Sequence, residues 1–109
     1  MKLTYLYLPV TDLGAAVAFY RDQLGLQEVW REGETTVAFA AADGSVELMV
    51  DTEDYPPGPM YLVDDVLAWR EAHAGVPVRV PRYDIPGGTV EGYEDPAGNV
   101  FYVFDLAEA

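Results

Sequence analysis

The chain has 109 residues, half of them hydrophobic, and this length is typical of a single domain that buries its own core. Its 19 acidic and 6 basic residues give a formal net charge of −13, and it contains no cysteine. Such a negative surface repels phosphate backbones, so nucleic acid is not expected as a partner. The lack of cysteine excludes disulfides, thiolate metal sites and a cysteine nucleophile.

The distribution of apolar residues predicts a cytoplasmic protein without a membrane partner. No apolar run approaches the roughly 20 residues that span a bilayer. The N-terminal sequence MKLTYLYLPV lacks the charged and apolar regions of a secretory signal with a cleavage site. We expect the acidic surface to serve solubility, and the same charge would attract cationic ligands.

The first half of the chain predicts the order strand, helix, strand, strand, strand. An apolar strand is followed by Thr11 and Asp12, which can cap a helix that continues until Gly25. Turns such as Asp43-Gly44 separate the later strands. The four strands are predicted at residues 3–10, 26–31, 36–41 and 45–51. Residues 55–59 contain three prolines and are predicted to link two halves.

The second half repeats the first at a nearly constant spacing. VTDL at 10–13 returns as VDDV at 63–66, and each copy leads into an apolar-striped helix that a glycine ends, Gly25 or Gly75. GSVELMVD at 44–51 returns as GNVFYVFD at 98–105. Trp69 in the second helix has the helical phase of a core residue.

Two copies of one βαβββ unit predict an α+β fold. Each unit alone would leave a sheet face uncovered, so we expect two modules that share a core and are related by a pseudo-twofold axis. The predicted boundaries are a single domain at 1–109, with modules at about 1–54 and 60–109.

The chain resembles the vicinal oxygen chelate (VOC) superfamily of glyoxalases, bleomycin-resistance proteins and dioxygenases. Two segments together carry the resemblance, LPVTDLGAAVAFYRDQLGL and EDPAGNVFYVFD. The resemblance covers nearly the whole chain. It implies two βαβββ modules whose curved mixed sheets enclose a cleft, and it implies a homodimer.

Metal-dependent members of this family hold a divalent ion with His and Glu side chains. The resemblance assigns the ligand positions to Tyr5, Leu48, Gly58 and Tyr102, none of which is His or a carboxylate. A catalytic divalent ion usually takes three protein ligands. Glu47 is one residue away from a ligand position, so a shift in register would bring this single carboxylate into the cleft.

The resemblance at these positions implies a metal-free branch of the family, and we expect no cofactor. The one histidine, His73, falls near the end of the second helix, where we expect it to contact the last carbonyl groups.

Strand alternation predicts an aromatic cleft. It places Tyr5 and Tyr7 on one face of the first strand, and Tyr102 and Phe104 on one face of the last. Leu48 is expected to face the cleft from the first module. Further candidates, for which the hydrophobic core is the usual alternative, are Trp30, Phe39 and Tyr93.

Three functions remain open at this point. The first is a metal-free protein that binds a small aromatic or cationic compound and sequesters it, as bleomycin-resistance proteins sequester an antibiotic. The second is a lyase, isomerase or dioxygenase with shifted ligands such as Glu47, or with metal-free acid–base chemistry in which Tyr5 or Tyr102 donates a proton. The third is an interaction module whose open sheet binds a partner protein.

Overall fold

The computed structural model describes residues 1–41 and 43–106, which form two compact units. The N-terminal unit is Thr4–Pro57, and the C-terminal unit contains Met1–Leu3 and the residues from Gly58 onward. The predicted end of the second module at residue 109 lies outside the described residues.

The N-terminal unit is a four-stranded sheet with one helical segment on it. Its sheet order is β2-β3-β4-β1, in which β1 and β4 are parallel and the other neighbours are antiparallel. The elements are β1 (Lys2–Pro9, which enters this unit at Thr4), α1 (Leu13–Val17), a π-helical segment (Ala18–Gln23), β2 (Gln27–Glu32), β3 (Thr36–Ala40) and β4 (Glu47–Asp51).

The C-terminal unit has the same order of elements. Its sheet order is β5-β8-β7-β6, with β5 and β8 parallel. The elements are β5 (Gly58–Leu62), α2 (Val66–Ala72), β6 (Val78–Ile85), β7 (Gly88–Glu94) and β8 (Val100–Asp105). The predicted α+β class and βαβββ order are therefore confirmed.

Both helices begin where the sequence predicts, but they end differently. Asp12 and Asp65 each accept a hydrogen bond from the backbone N–H three residues later, at 3.0 and 2.9 Å. The first helix changes to π geometry after Val17, and Gly25 ends it with a φ of 75°. The second helix already ends at Ala72, three residues before the predicted glycine. No described helix has the length and apolar character that a membrane crossing needs.

The predicted linker at 55–59 is partly wrong, because β5 already begins at Gly58. At this point the strand approaches β8 so closely that a Cβ on Gly58 would lie 2.1 Å from the carbonyl oxygen of Val100. Glycine is therefore required to start the strand here. Pro59 is tolerated because it is near the first residue of the strand.

Each unit has its own hydrophobic cluster between its helix and one face of its sheet. In the N-terminal unit Val17 of α1 packs with Phe39 and Val50 of the sheet. In the C-terminal unit Val66 of α2 packs with Tyr93 and Val103. Trp69 lies against this second cluster, as predicted, with its ring centroid 5.0 Å from that of Tyr93.

Candidate functional site

The register between β1 and β4 defines the sheet face that faces away from α1. Tyr5 pairs with Glu47, and Tyr7 pairs with Met49. Val50, the neighbour of Met49 in the chain, belongs to the cluster under α1. Because successive side chains of a strand point to opposite faces, these four paired residues share the face opposite α1.

The prediction for Leu48 is wrong, because it points to the other face. Leu48 pairs with Phe39, which is fully buried in the cluster under α1. Cross-strand partners have their side chains on the same face. Glu47, like Met49, therefore shares the face of Tyr5, and the shift in register that the sequence left open is present in the structure.

Tyr5, Trp30 and Glu47 form a contiguous group on this face, which we call the Tyr5–Trp30–Glu47 cluster. The indole Nε1 of Trp30 donates a hydrogen bond to Glu47 Oε1 at 2.8 Å. The Tyr5 and Trp30 rings meet edge to face, with centroids 5.9 Å apart and planes at 83°. All three side chains are partly exposed.

Small residues on β3 allow this cluster to form. Trp30 is on β2 and Glu47 on β4, so the indole must cross β3 to reach the carboxylate. The residues of β3 that pair with Trp30 and Glu47 are Ala38 and Ala40. Their methyl groups leave room above the sheet, and larger residues there would block the contact.

The cluster combines a hydrogen-bond donor, an acceptor and two aromatic rings. Burial raises the pKa of the Tyr5 phenol, and the negative charge of Glu47 raises this pKa further. The phenol therefore keeps its proton at neutral pH. Glu47 supplies the acceptor, and the rings of Tyr5 and Trp30 supply flat apolar area.

Tyr7 shares this face, but its hydroxyl group is used inside the protein. Its oxygen lies 2.9 Å from Asp51 Oδ2 and 2.9 Å from the carbonyl oxygen of Glu53. Asp51 also accepts a hydrogen bond from Thr36 Oγ1 at 2.9 Å. Only 4% of the Tyr7 surface is exposed. Tyr7 thus holds the chain where it leaves β4, beside the Tyr5–Trp30–Glu47 cluster.

The predicted site residues of the C-terminal unit are buried. Tyr102 and Phe104 share the face opposite α2, as predicted, because Phe101 and Val103 pack on the α2 side. Both have only 2% of their surface exposed. A Cβ on Gly92 would lie 3.0 Å from Tyr102 Cε1, so the tyrosine ring lies directly over this glycine.

Phe39 and Tyr93 lie in the two hydrophobic clusters and not on the face of Tyr5. Each has no exposed surface. Phe39 packs under α1, and Tyr93 packs under α2. Both residues therefore lie in the hydrophobic core, which was the alternative to a place in the cleft.

The residues at the ligand positions of metal-dependent relatives do not fit a metal ion. Gly58 has no ligating group, and the nearby Val100 carbonyl leaves no space for a side chain there. One oxygen of Glu47 already accepts the Trp30 N–H. Within residues 1–41 and 43–106 no group of three or more His, Cys, Asp and Glu side chains could hold a metal.

His73 contacts a helix carbonyl, as predicted. Its Nδ1 lies 2.7 Å from the carbonyl oxygen of Trp69, and its ring stacks on the Trp69 indole with centroids 4.0 Å apart. A carbonyl oxygen can only accept, so this hydrogen bond requires the proton on Nδ1.

Comparison with known proteins assigns the chain to a family. The sequence model of the glyoxalase/bleomycin resistance protein/dioxygenase superfamily matches residues 2–103. The chain belongs to this superfamily. A search of curated proteins finds no match to this superfamily member.

Solved structures similar to this superfamily member support the same fold. A Legionella pneumophila structure described as an NAD-dependent benzaldehyde dehydrogenase has a TM-score of 0.74 and 14% identity, covering 94% of this chain and 97% of its own. The Streptomyces coelicolor methylmalonyl-CoA epimerase has a TM-score of 0.65 and 19% identity, covering 98% of each chain. A superfamily member from Vibrio splendidus 12B01 has a TM-score of 0.61 and 18% identity, covering 93% of this chain and 95% of its own. At these identities the likeness shows the fold alone.

Proposed function

We propose that this superfamily member binds a small aromatic or cationic compound, such as an antibiotic, at the Tyr5–Trp30–Glu47 cluster without a metal ion. The observation that carries the proposal is the carboxylate of Glu47, held by the Trp30 N–H beside the ring of Tyr5. Binding alone, as in sequestration, requires no further catalytic group.

The chemistry of the cluster suits a flat cation. Aromatic faces attract cations through their quadrupole, and the attraction is about 0.5–2 kcal/mol depending on desolvation. A carboxylate beside these rings adds a charge of the opposite sign to that of the ligand. Ligand sites commonly combine apolar walls with a few polar groups, and this cluster has that composition.

A thermal-shift screen with flat aromatic cations tests the proposal. A ligand at a hundredfold excess over its Kd stabilises the folded protein by about 2.7 kcal/mol, which raises the melting temperature. We expect Tyr5→Ala to abolish the shift. The matched control is Phe19→Ala, which removes an aromatic ring that is 43% exposed but belongs to the π-helical segment. No shift with any compound, or an equal shift in the Tyr5 variant, would contradict the proposal.

Metal analysis tests the metal-free part of the proposal separately. Protein purified without a chelator is expected to contain no stoichiometric Zn, Ni, Mn or Fe. A stoichiometric ion that is lost in Glu47→Gln would show that the single carboxylate does act as a ligand.

A second candidate is metal-free acid–base catalysis, because a protonated phenol and a carboxylate share one face. Glu47 would remove a proton from a carbon acid, and Tyr5 would donate one. The methylmalonyl-CoA epimerase with the same fold shows that an enzyme can use this fold. Deuterium uptake from D2O into candidate carbon acids, detected by mass spectrometry and lost in Glu47→Gln, would favour this function over binding alone.

We also propose that the protein is a homodimer. Light scattering at several protein concentrations measures the mass directly. A mass twice that of the 12.0 kDa chain is expected, and a monomer at all concentrations would contradict the proposal.

A further inference from the structure

We infer that Trp30 is a positioning residue that aims the carboxylate of Glu47, so that the site selects cations with N–H donors, such as amidines, guanidines and primary amines. Quaternary ammonium compounds of the same size and charge would bind more weakly. This inference rests on the proposed binding function and specifies the ligand chemistry of that site.

The two oxygens of Glu47 have different roles. Oε1 accepts the indole N–H of Trp30 at 2.8 Å. For Oε2, no residue in the described ranges 1–41 and 43–106 supplies a hydrogen-bond donor. A carboxylate has about four acceptor sites on its two oxygens, so capacity remains for a ligand.

Trp30 restricts the direction in which the remaining acceptor sites of the Glu47 carboxylate point. A glutamate side chain on a partly exposed sheet face loses rotamer freedom when it binds a ligand. Here the indole N–H holds one oxygen, and the edge contact with Tyr5 holds the indole. Because the Glu47 side chain is already ordered before binding, it loses less conformational entropy when a ligand binds.

A carboxylate with a defined direction discriminates between types of cation. A charge-assisted hydrogen bond depends on direction and is roughly twice as strong as a neutral one. A quaternary ammonium group has no N–H, so it gains only the charge attraction and the contact with the aromatic faces. Salt and water screen charge attraction at a partly exposed site, and a direct hydrogen bond is screened less.

Two probes of one ring and one charge test the inference: benzamidine, with four N–H donors, and phenyltrimethylammonium, with none. Isothermal titration is expected to show that benzamidine binds about tenfold or more tightly, the usual size of one hydrogen bond to a charged group. Sodium benzoate, with the opposite charge, should not bind.

Variants distinguish a positioning role of Trp30 from simple packing of its ring. Trp30→Phe keeps an aromatic ring against Tyr5 but removes the N–H. The ratio of the affinities for benzamidine and phenyltrimethylammonium should therefore fall towards one, while phenyltrimethylammonium still binds. Glu47→Asp keeps the charge but shortens the side chain away from Trp30, and it should lose the preference in the same way. The aspartate variant keeps the test valid if Trp30→Phe does not fold. Glu47→Gln should weaken both cations.

A spectroscopic readout reports on Trp30 alone. The chain has two tryptophans, and Trp69→Phe leaves Trp30 as the only one. The buried Nε1 of Trp69 has no hydrogen-bond partner among the described residues, so this substitution breaks no such bond. Benzamidine should change the Trp30 emission in this variant.

The outcomes distinguish the inference from the proposed function. Equal affinity for the two cations would overturn the inference and leave cation binding intact. A preference that persists in Trp30→Phe would overturn the positioning role of Trp30. If neither cation binds and no compound in the thermal-shift screen does, the proposed function itself fails.

Discussion

Glu91 is a buried carboxylate whose charge must be compensated within the C-terminal unit. Only 2% of its surface is exposed. The phenol of Tyr93 donates a hydrogen bond to its Oε1, and Arg70 Nη1 lies 3.6 Å from its Oε2. Burial raises the pKa of Tyr93, and the hydrogen bond to Glu91 and its negative charge raise this pKa further. The phenol therefore stays protonated and continues to donate.

We predict that Tyr93→Phe lowers the free energy of unfolding by about 1–3 kcal/mol, because it leaves one oxygen of a buried carboxylate without its donor. Urea unfolding at pH 7 measures this change. The control is Tyr61→Phe, since Tyr61 contacts the Phe101 ring and makes no hydrogen bond through its hydroxyl group in the described part of the chain. Equal stability of the two variants would show that the Tyr93 hydroxyl does not stabilise Glu91.

At the scale of elements, the start of α2 depends on two carboxylates from different places in the chain. Asp65 caps it locally by accepting the N–H of Ala68. Asp105, at the end of β8, accepts the N–H of Val66 at 2.8 Å and also the N–H of Thr89 at 2.9 Å. Asp105 thus connects β7, β8 and α2, and only 5% of its surface is exposed.

We predict that Asp65→Ala costs about 1 kcal/mol of stability, the usual effect of losing one N-cap. Asp105→Ala should cost about 2–4 kcal/mol, because it leaves one buried and one partly buried N–H group without an acceptor. Chemical denaturation of the two variants side by side tests the difference. An equal loss would mean that Asp105 contributes no more than a local cap.

The order of elements could be predicted from sequence because it depends on local signals. The capping residues Asp12 and Asp65, the left-handed glycine Gly25 and the alternating strands act over a few residues. The π-helical segment could not be predicted in this way. Its side chains have an ordinary helical pattern, and its geometry shows only in hydrogen bonds such as Leu24 N–H to the Phe19 carbonyl.

The register of β4 could not be predicted from the turn that precedes it. Tyr7 pairs with Met49 and Met60 pairs with Tyr102, so the strands correspond at a spacing of 53 residues. The turn glycines Gly44 and Gly98 are 54 apart. One extra residue therefore lies between turn and strand in the first half. The alternation within β4, with Glu47, Met49 and Asp51 on one face and Leu48 and Val50 on the other, agrees with the observed register. Counting from the turn glycine does not account for the extra residue.

The contact between Trp30 and Glu47 could not be predicted from the sequence either. It requires the registers of β2, β3 and β4 together, because the indole crosses a strand to reach the carboxylate. The two alanines on β3 were the one available signal, and they are informative only when the pairing is known. The sequence therefore names Tyr5, Trp30 and Glu47 as separate candidates, and the structure shows that they are in contact.

At the scale of the molecule, the basic residues do little to reduce the acidic charge. Four arginines form ion pairs with carboxylates, namely Arg21, Arg31, Arg70 and Arg79. The net charge of −13 remains, so the whole surface attracts cations and favours their approach to the Tyr5–Trp30–Glu47 cluster.

The most direct test of cation binding at the Tyr5–Trp30–Glu47 cluster is to locate a bound aromatic cation by NMR, using ¹⁵N-labelled protein and benzamidine. We predict that the indole N–H signal of Trp30 and the backbone signals of Tyr5 and Glu47 change most. A shallow groove of about 610 Å³ beside α2, which Trp69 and His73 help to line, provides an internal comparison. Changes confined to that groove, with the Trp30 indole signal unmoved, would contradict binding at the Tyr5–Trp30–Glu47 cluster.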